Sequence, residues 1–268
     1  MTKLIVQADD AAITHAATLG ILASIDDGIV RNTGIFANRP DAAFAAAELK
    51  RREGVDVGID LNLVTGSPLL PAAEVPDLVD EHGAFRSSRQ IRREYEVVRR
   101  DGFFVEFDRD PFDHDQVLAE TRAQLQRFLE LMGRPPAYMH HHSLITQVLH
   151  DVLHEVADEF GLHPIDLHRG LVAPLLDIPW YTAPFGPAEQ AAADPVAAFE
   201  TMLPEILAHD LSILVVHPGY VDAELLDITT YNVIRARDLE FVTDTGVRAL
   251  LADAGVELTT YSAVRAGG

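Results

Sequence analysis

The chain has no cysteine. Disulfides, cysteine-ligated zinc and thiol nucleophiles are therefore excluded. Any metal must be held by His and carboxylate, a donor set open to Zn, Mn, Fe, Co, Ni or Mg. Basic residues are also scarce: 21 Lys and Arg stand against 42 Asp and Glu, a formal net charge of −21. A nucleic-acid groove or an anionic membrane surface needs clustered positive charge, so neither is the expected partner. No apolar run approaches the ~18 residues of a membrane span, and no basic-then-apolar leader is visible, so a cytoplasmic protein is expected. What is present is an ordinary globular balance of 48% apolar and 24% charged residues over 268 positions. That length and composition fit one large α/β domain, 1–268, better than two small ones.

Short apolar runs alternate with helical patterns along the chain. Strands are expected over 3–8, 29–37, 55–64, 137–142, 211–216 and 256–260. Helices are expected over 14–27, 41–52, 116–132 and 147–160, with more helix within 239–251. The helices are marked by apolar stripes at 3.6-residue spacing and by stop signals such as Gly28 and Gly161. Residues 68–115 read as an irregular insertion or lid with one helical segment, and 164–204 as loop-rich. Strand and helix alternate, so a parallel α/β sheet is expected, and the number of strands fits a (β/α) barrel-like architecture, distorted or incomplete, better than an open sheet.

The ionisable residues gather at the ends of these strands. Asp9 and Asp10 follow the apolar run Leu4-Ile5-Val6, and Asp60 and Asn62 share one face near the end of the 55–64 strand. His140 and His142 share a face at the end of the 137–142 strand, and His217 ends the 211–216 strand. In a parallel barrel all these ends open at one rim. Each residue also has a plain reading: Asp9 and Asp10 as helix caps, Asp60 as a solvent-facing strand residue, the His140–His142 run as a polar strand end, and His217 as a turn residue before Pro-Gly. Taken together, carboxylates and imidazoles from four strands suggest metal-assisted hydrolysis. There a divalent ion acidifies water and polarises a carbonyl, a carboxylate takes a proton, and a His protonates the leaving group.

One other motif competes. His150-Asp151-Val152-Leu153-His154 has the i, i+4 histidine spacing of zinc proteases, but Asp stands where that pattern has Glu. The pair lies opposite the apolar stripe of its helix and reads as a solvated face. His15, His82, His114, His163, His168 and His209 carry no signal that separates them from surface or structural histidines.

The motifs resemble those of the YdjC-like carbohydrate deacetylases, the family of chitooligosaccharide deacetylase, nearly end to end. Leu4 to Asp10 is similar to the family's opening L-I-V-N-A-D-D-F-G, and Asp27-Gly28-Ile29-Val30 with Asn38-Arg39-Pro40 to D-G-I-V-T-S-T and N-M-P. Val57 to Leu63 is similar to V-G-L-H-L-N-L, Gly133 to His142 to G-x-x-P-T-H-x-D-S-H, and His217 to Asp222 to H-P-G-Y-x-D. Tyr231 to Leu251 resembles the closing Y-N-x-x-R-x-x-E-L-x-x-L-T-D-x-x-V-x-x-L-L.

The resemblance implies a barrel-like fold, one divalent metal (Mg, Zn, Mn, Co or Ni), removal of an N-acetyl group from an amino sugar, and a homodimer. Asp10 and His142 would be metal ligands, Asp9 the base, His217 the general acid, and Asn62 and Tyr220 substrate contacts. Two departures stand out. The family's ligand His in L-H-L-N is Asp60 here, and the Asp of D-S-H is His140. Asp60 remains a sound ligand for harder ions and leaves water less acidic, and His140 is a candidate replacement ligand. Ala11-Ala12 replaces F-G and opens space beside the metal. A catalytically silent relative that binds a carbohydrate is the alternative these substitutions raise.

Overall fold

Strand β1 (Lys3–Ala11) is the axis of the molecule. Its run of apolar residues is buried on both faces, as a strand of a parallel sheet covered by helices must be. In the computed structural model, which describes residues 2–101, 104–165 and 186–267, it is flanked by β2 (Asn32–Ile35) and β7 (Leu211–Val216). Strands β3 (Asp56–Leu61) and β6 (Met139–His141) extend the sheet beyond β2, giving the order β6-β3-β2-β1-β7. Strand β8 (Glu257–Thr259) pairs with the first residues of β1. Every pairing in this sheet is parallel.

The sheet is curled. Ile5 of β1, Ile213 and Val215 of β7, and Tyr138 at the foot of β6 pack with Ile165 and Tyr261 into one buried cluster. Strands at opposite ends of the sheet meet there, which makes the wall barrel-like, as expected. The helices lie outside it, over a second and larger apolar core. They include α1 (His15–Asp26), α2 (Ala42–Leu49), α4 (His114–Met132) and α5 (Gln147–Phe160). Thr14, Asp113 and Thr146 cap α1, α4 and α5, and left-handed glycines at 133 and 161 end the last two. Helix α1 is thus capped by Thr14, and Asp9 and Asp10 are free of that duty.

Two segments are more regular than their sequence suggests. Within 68–115 there is the expected helix, α3 (Ser88–Glu94), and also an antiparallel hairpin of β4 (Val97–Asp101) and β5 (Phe104–Phe107). Neither Val-Val-Arg-Arg-Asp nor Phe-Val-Glu-Phe alternates cleanly, so period-2 reasoning misses them. Within 164–204, α6 (Pro187–Ala192) and α7 (Pro195–Ala208) form, each starting on a proline. Proline at a helix start is favourable, and Pro204 inside α7 hides the helical pattern. Residues 166–185 of that stretch, with His168, lie outside the described residues. The chain closes with α8 (Ala223–Ile228), α9 (Ile234–Thr243), α10 (Thr245–Asp253) and α11 (Tyr261–Gly267). Among the described residues no helix is long and apolar enough to cross a membrane.

Candidate active site

The inward face of the sheet changes character from foot to rim. Along β1 it runs Ile5, Gln7, Asp9; the β7 strand and the residue after it give Ile213, Val215, His217; β6 and its flanks give Tyr138, His140, His142. This is the period-2 alternation of a strand. Ile5 pairs in register with Ile213, Gln7 with Val215, and Asp60 with His140. Apolar side chains therefore fill the foot, and ionisable ones meet at the carboxyl rim. Two glycines make room for them. A Cβ on Gly34 would strike the Asp60 carboxylate, and one on Gly58 would strike the Tyr138 ring.

Neighbouring residues of a regular strand point to opposite faces, yet both Asp9 and Asp10 reach this rim. The reason is a bulge: the β1–β2 register shifts between Ala8 and Ala11, and Asp10 takes a left-handed φ of 71°. That conformation costs a non-glycine residue roughly 1–2 kcal/mol. It turns the Asp10 N–H away from the ladder to donate to Asp60 Oδ2 at 2.9 Å. Ser143, directly after His142, has a left-handed φ of 68° as well. Such local strain is typical of sites whose surroundings over-determine them.

The ionisable groups sort into two neighbouring sets. In the first, His140 Nε2 lies 2.7 Å from Asp60 Oδ1 and 3.5 Å from Asp9 Oδ1. The Gln7 amide donates to Asp9 Oδ1 at 2.6 Å, and the Tyr261 hydroxyl donates to Gln7 Oε1 at 2.5 Å. In the second, Asp10 Oδ1 lies 2.9 Å from His142 Nδ1, and Arg235 donates from Nη2 to Asp10 Oδ2 at 2.5 Å. His217 sits between the sets, with Nε2 4.0 Å from Asp9 Oδ2. Asp9, Asp10, Asp60, His140 and Arg235 are all buried, with Asp60 wholly so.

Three buried carboxylates here face one permanent cation, Arg235. Burial pushes the Asp10 carboxyl up, but His142 and Arg235 together hold it well below the usual carboxylate range. Burial pushes Asp60 up, with Asp9 and Asp10 adding to the effect against His140. Burial opposes charge on His140, yet Asp60 and Asp9 push its ring well above the usual imidazole value. A proton is therefore held within the Asp60–His140 pair, which is how a site with surplus negative charge balances itself. His217 goes the other way: burial takes it down to about 4 against the pull of Asp10 and Asp9.

A divalent cation suits this surplus. Asp9, Asp60 and His140 each offer a ligand atom, and the three atoms lie within 4.8 Å of one another. The buried oxygens Asp10 Oδ1 and Asp60 Oδ1 each face an imidazole nitrogen, at 2.9 Å and 2.7 Å. Buried carboxylate oxygens and imidazole nitrogens turned toward one another form a donor set that fits a cation.

The structure thus brings Asp9, Asp10, Asp60, His140, His142 and His217 to one rim. Asp60 is fully buried and does not face solvent. Asn62 is buried too, and its side chain braces the loop after β3 through Asn38, Val64 and Thr65. Tyr220 is half exposed beyond His217. His150 and His154 are only partly exposed, on the outer helix α5, with ring centroids 4.5 Å apart and the planes tilted by 46°.

Sequence reasoning missed Gln7, Arg235, Asp238, Tyr138 and Tyr261. Gln7 carried a signal, as a polar residue two before Asp9 on the inward face. Arg235 is the Arg of the closing motif, but only the fold shows that it reaches Asp10. Asp238, fully buried, accepts from the His217 backbone N–H at 2.8 Å, and burial pushes its carboxyl up to about 7. Tyr138 stacks on the His140 ring at 5.9 Å.

The chain has relatives along its whole length. A carbohydrate deacetylase of Listeria monocytogenes serotype 4a (strain HCC23) is 29% identical over 263 residues, covering 97% of this chain and 98% of the relative. A carbohydrate deacetylase of Thermoanaerobacter pseudethanolicus is 28% identical, covering 99% and 100%. Among solved structures, a protein of Enterococcus faecalis V583 described as a cellobiose-phosphate cleavage protein superposes with a TM-score of 0.78 over 98% of both chains, at 22% identity, and so shares the fold. The family model for YdjC-like proteins matches residues 3–253, and the chain belongs to the YdjC-like protein family.

Proposed function

We propose that this protein is a metal-dependent hydrolase that removes an N-acetyl or similar acyl group from an amino sugar or a sugar-bearing small molecule. The observation that carries the reading is the meeting of Asp9, Asp60 and His140 ligand atoms at the rim of a YdjC-like barrel. Full-length relatives named carbohydrate deacetylase support the substrate class. A divalent ion (Mg, Zn, Mn, Co or Ni) held among Asp9, Asp10, Asp60, His140 and His142 would polarise the acyl carbonyl and acidify water. We place the protein in the cytoplasm, as a homodimer.

The chain's own groups manage the proton. Asp9 Oδ2 and His217 Nε2 face one another at 4.0 Å. Asp9 takes a proton from the attacking water. His217, neutral at rest, receives it and passes it to the leaving nitrogen. Asp9 and Asp10 stabilise the ring while it is charged. Arg235 keeps Asp10 ionised, and Gln7 and Tyr261 fix the orientation of Asp9.

The test is an acetate-release screen over N-acetylated amino sugars and their oligomers, with each of the five metals added in turn. Release that requires a metal, and that falls by about 10²–10⁴ in His217→Gln, is expected. Saturable sugar binding with no release under any metal would overturn the reading in favour of a silent carbohydrate binder, which the changes at Asp60 and His140 motivate.

A further inference from the structure

We infer that Asp60 and His140 are one compensated exchange, and that it seats the cation on Asp9, Asp60 and His140, leaving Asp10 and His142 outside its coordination. The inference rests on the reading that this rim holds a divalent ion. The two departures from the family motifs, Asp for His in L-H-L-N and His for Asp in D-S-H, look independent in sequence. The fold places them directly opposite each other on β3 and β6, in register and side chain to side chain at 2.7 Å. Against the motifs this chain resembles, the carboxylate and the imidazole stand on exchanged strands, and the pair still holds one of each.

The surroundings favour this seat. His140 Nδ1 faces the His141 carbonyl at 3.1 Å, which fixes the ring so that Nε2 turns to the carboxylates, 2.7 Å from Asp60 Oδ1 and 3.2 Å from the Gln7 amide nitrogen. Asp60 Oδ2 is held by the Asp10 N–H, while Oδ1, wholly buried, faces His140 Nε2. Gln7 holds Asp9 so that Oδ1 points to His140 and Oδ2 to His217. A single carboxylate thereby serves the ion with one oxygen and the proton path with the other. Asp10 is the poorer ligand, because Arg235 occupies its Oδ2 at 2.5 Å. Among the described residues, the three-residue set whose ligand atoms converge is Asp9, Asp60 and His140.

Zn(II) titrated into the 15N-histidine-labelled wild-type protein, followed by long-range imidazole spectra, identifies the ring that binds. The His140 Nε2 resonance is expected to shift and that of His142 to keep the position of a free ring. Calorimetry with Zn(II) gives the second readout. Asp60→His and His140→Asp alone should each weaken binding tenfold or more. The double exchange should return it to within threefold of wild type, and His142→Gln should stay within threefold. Zn(II) ligation by His142, wild-type affinity in folded His140→Asp, or no Zn(II) binding by the wild type would each overturn the inference. Zn(II) seated on His140 in a protein that releases no acetate would leave the seat standing and remove only the hydrolase reading. Metal-dependent acetate release with Zn(II) on His142 would do the reverse.

Discussion

Arg235 offers the sharpest test of how this site is held together. Its guanidinium is 1% exposed, with Nη2 on Asp10 Oδ2 at 2.5 Å and Nε on the Tyr231 carbonyl at 2.9 Å. Arg235→Met keeps the stem and removes the charge. Asp10 is then a buried carboxylate with no permanent counterion, and breaking such a pair from one side costs about 3–5 kcal/mol. Since a domain somewhat smaller than this one loses roughly 2–4 °C per kcal/mol, the melting temperature should fall by roughly 6–20 °C. Asp10→Asn is the matching change, because Asn tolerates the left-handed backbone that Asp10 adopts. It strands the arginine instead and should also destabilise. The double variant Asp10→Asn/Arg235→Met leaves no unpaired charge, so it should be more stable than the sum of the two losses predicts by at least about 1 kcal/mol. Urea unfolding of the four proteins, at pH 7 and without metal, measures the cycle. A loss under about 1 kcal/mol in Arg235→Met, or additivity within about 0.5 kcal/mol, would refute the claim that this ion pair braces the site.

Two further outcomes follow from the same geometry. Burial pushes the Asp238 carboxyl up to about 7, whereas in the unfolded chain it loses its proton near the ordinary aspartate value of 3.8. The folded state therefore binds the extra proton between those values. This contribution to stability is complete below about 4 and is lost as the pH rises through about 7. From pH 5 to pH 8 the wild type should lose roughly 2–3 kcal/mol relative to Asp238→Asn, and parallel pH dependences in denaturant melts would contradict the assignment. Gly34→Ala puts a methyl group into the Asp60 carboxylate. Overpacking of this kind costs about 1–3 kcal/mol, and it should also weaken Zn(II) binding in calorimetry; unchanged melting and affinity would show that Asp60 is free to move.

How much of this was legible in the sequence depends on whether the information was local. The strands over 3–8, 55–64, 137–142 and 211–216 were readable because burial on both faces demands unbroken apolar runs or strict alternation. The rim residues were readable because each sits at the end of such a run. The β4–β5 hairpin and helix α7 were hidden, one by charged residues in an exposed strand and the other by an internal proline. The pairing within the rim was not readable. Asp9 and Asp10 are adjacent in sequence, yet a bulge sends one to His140 and the other to Arg235, 225 positions away. The sequence reading grouped Asp10, Asp60 and His142 as ligands on the strength of a resemblance, with His140 as a candidate replacement. The fold shows that Asp60 faces His140, a partner that only strand register could reveal. Tyr261, in the last helix, had no signal at all, since its link to Asp9 runs through Gln7.

We propose that the buried carboxylates and imidazoles at the rim hold an ion for hydrolysis of an acylated sugar. The most direct test is to strip the protein with chelator and titrate one metal back, recording bound metal and released acetate in the same samples, with an N-acetylated amino sugar as substrate. Acetate release that is absent from the stripped protein and rises in proportion to occupancy, to a limit at one ion per chain, is the expected result. Full occupancy without acetate, or release that is undiminished in the stripped protein, would contradict it.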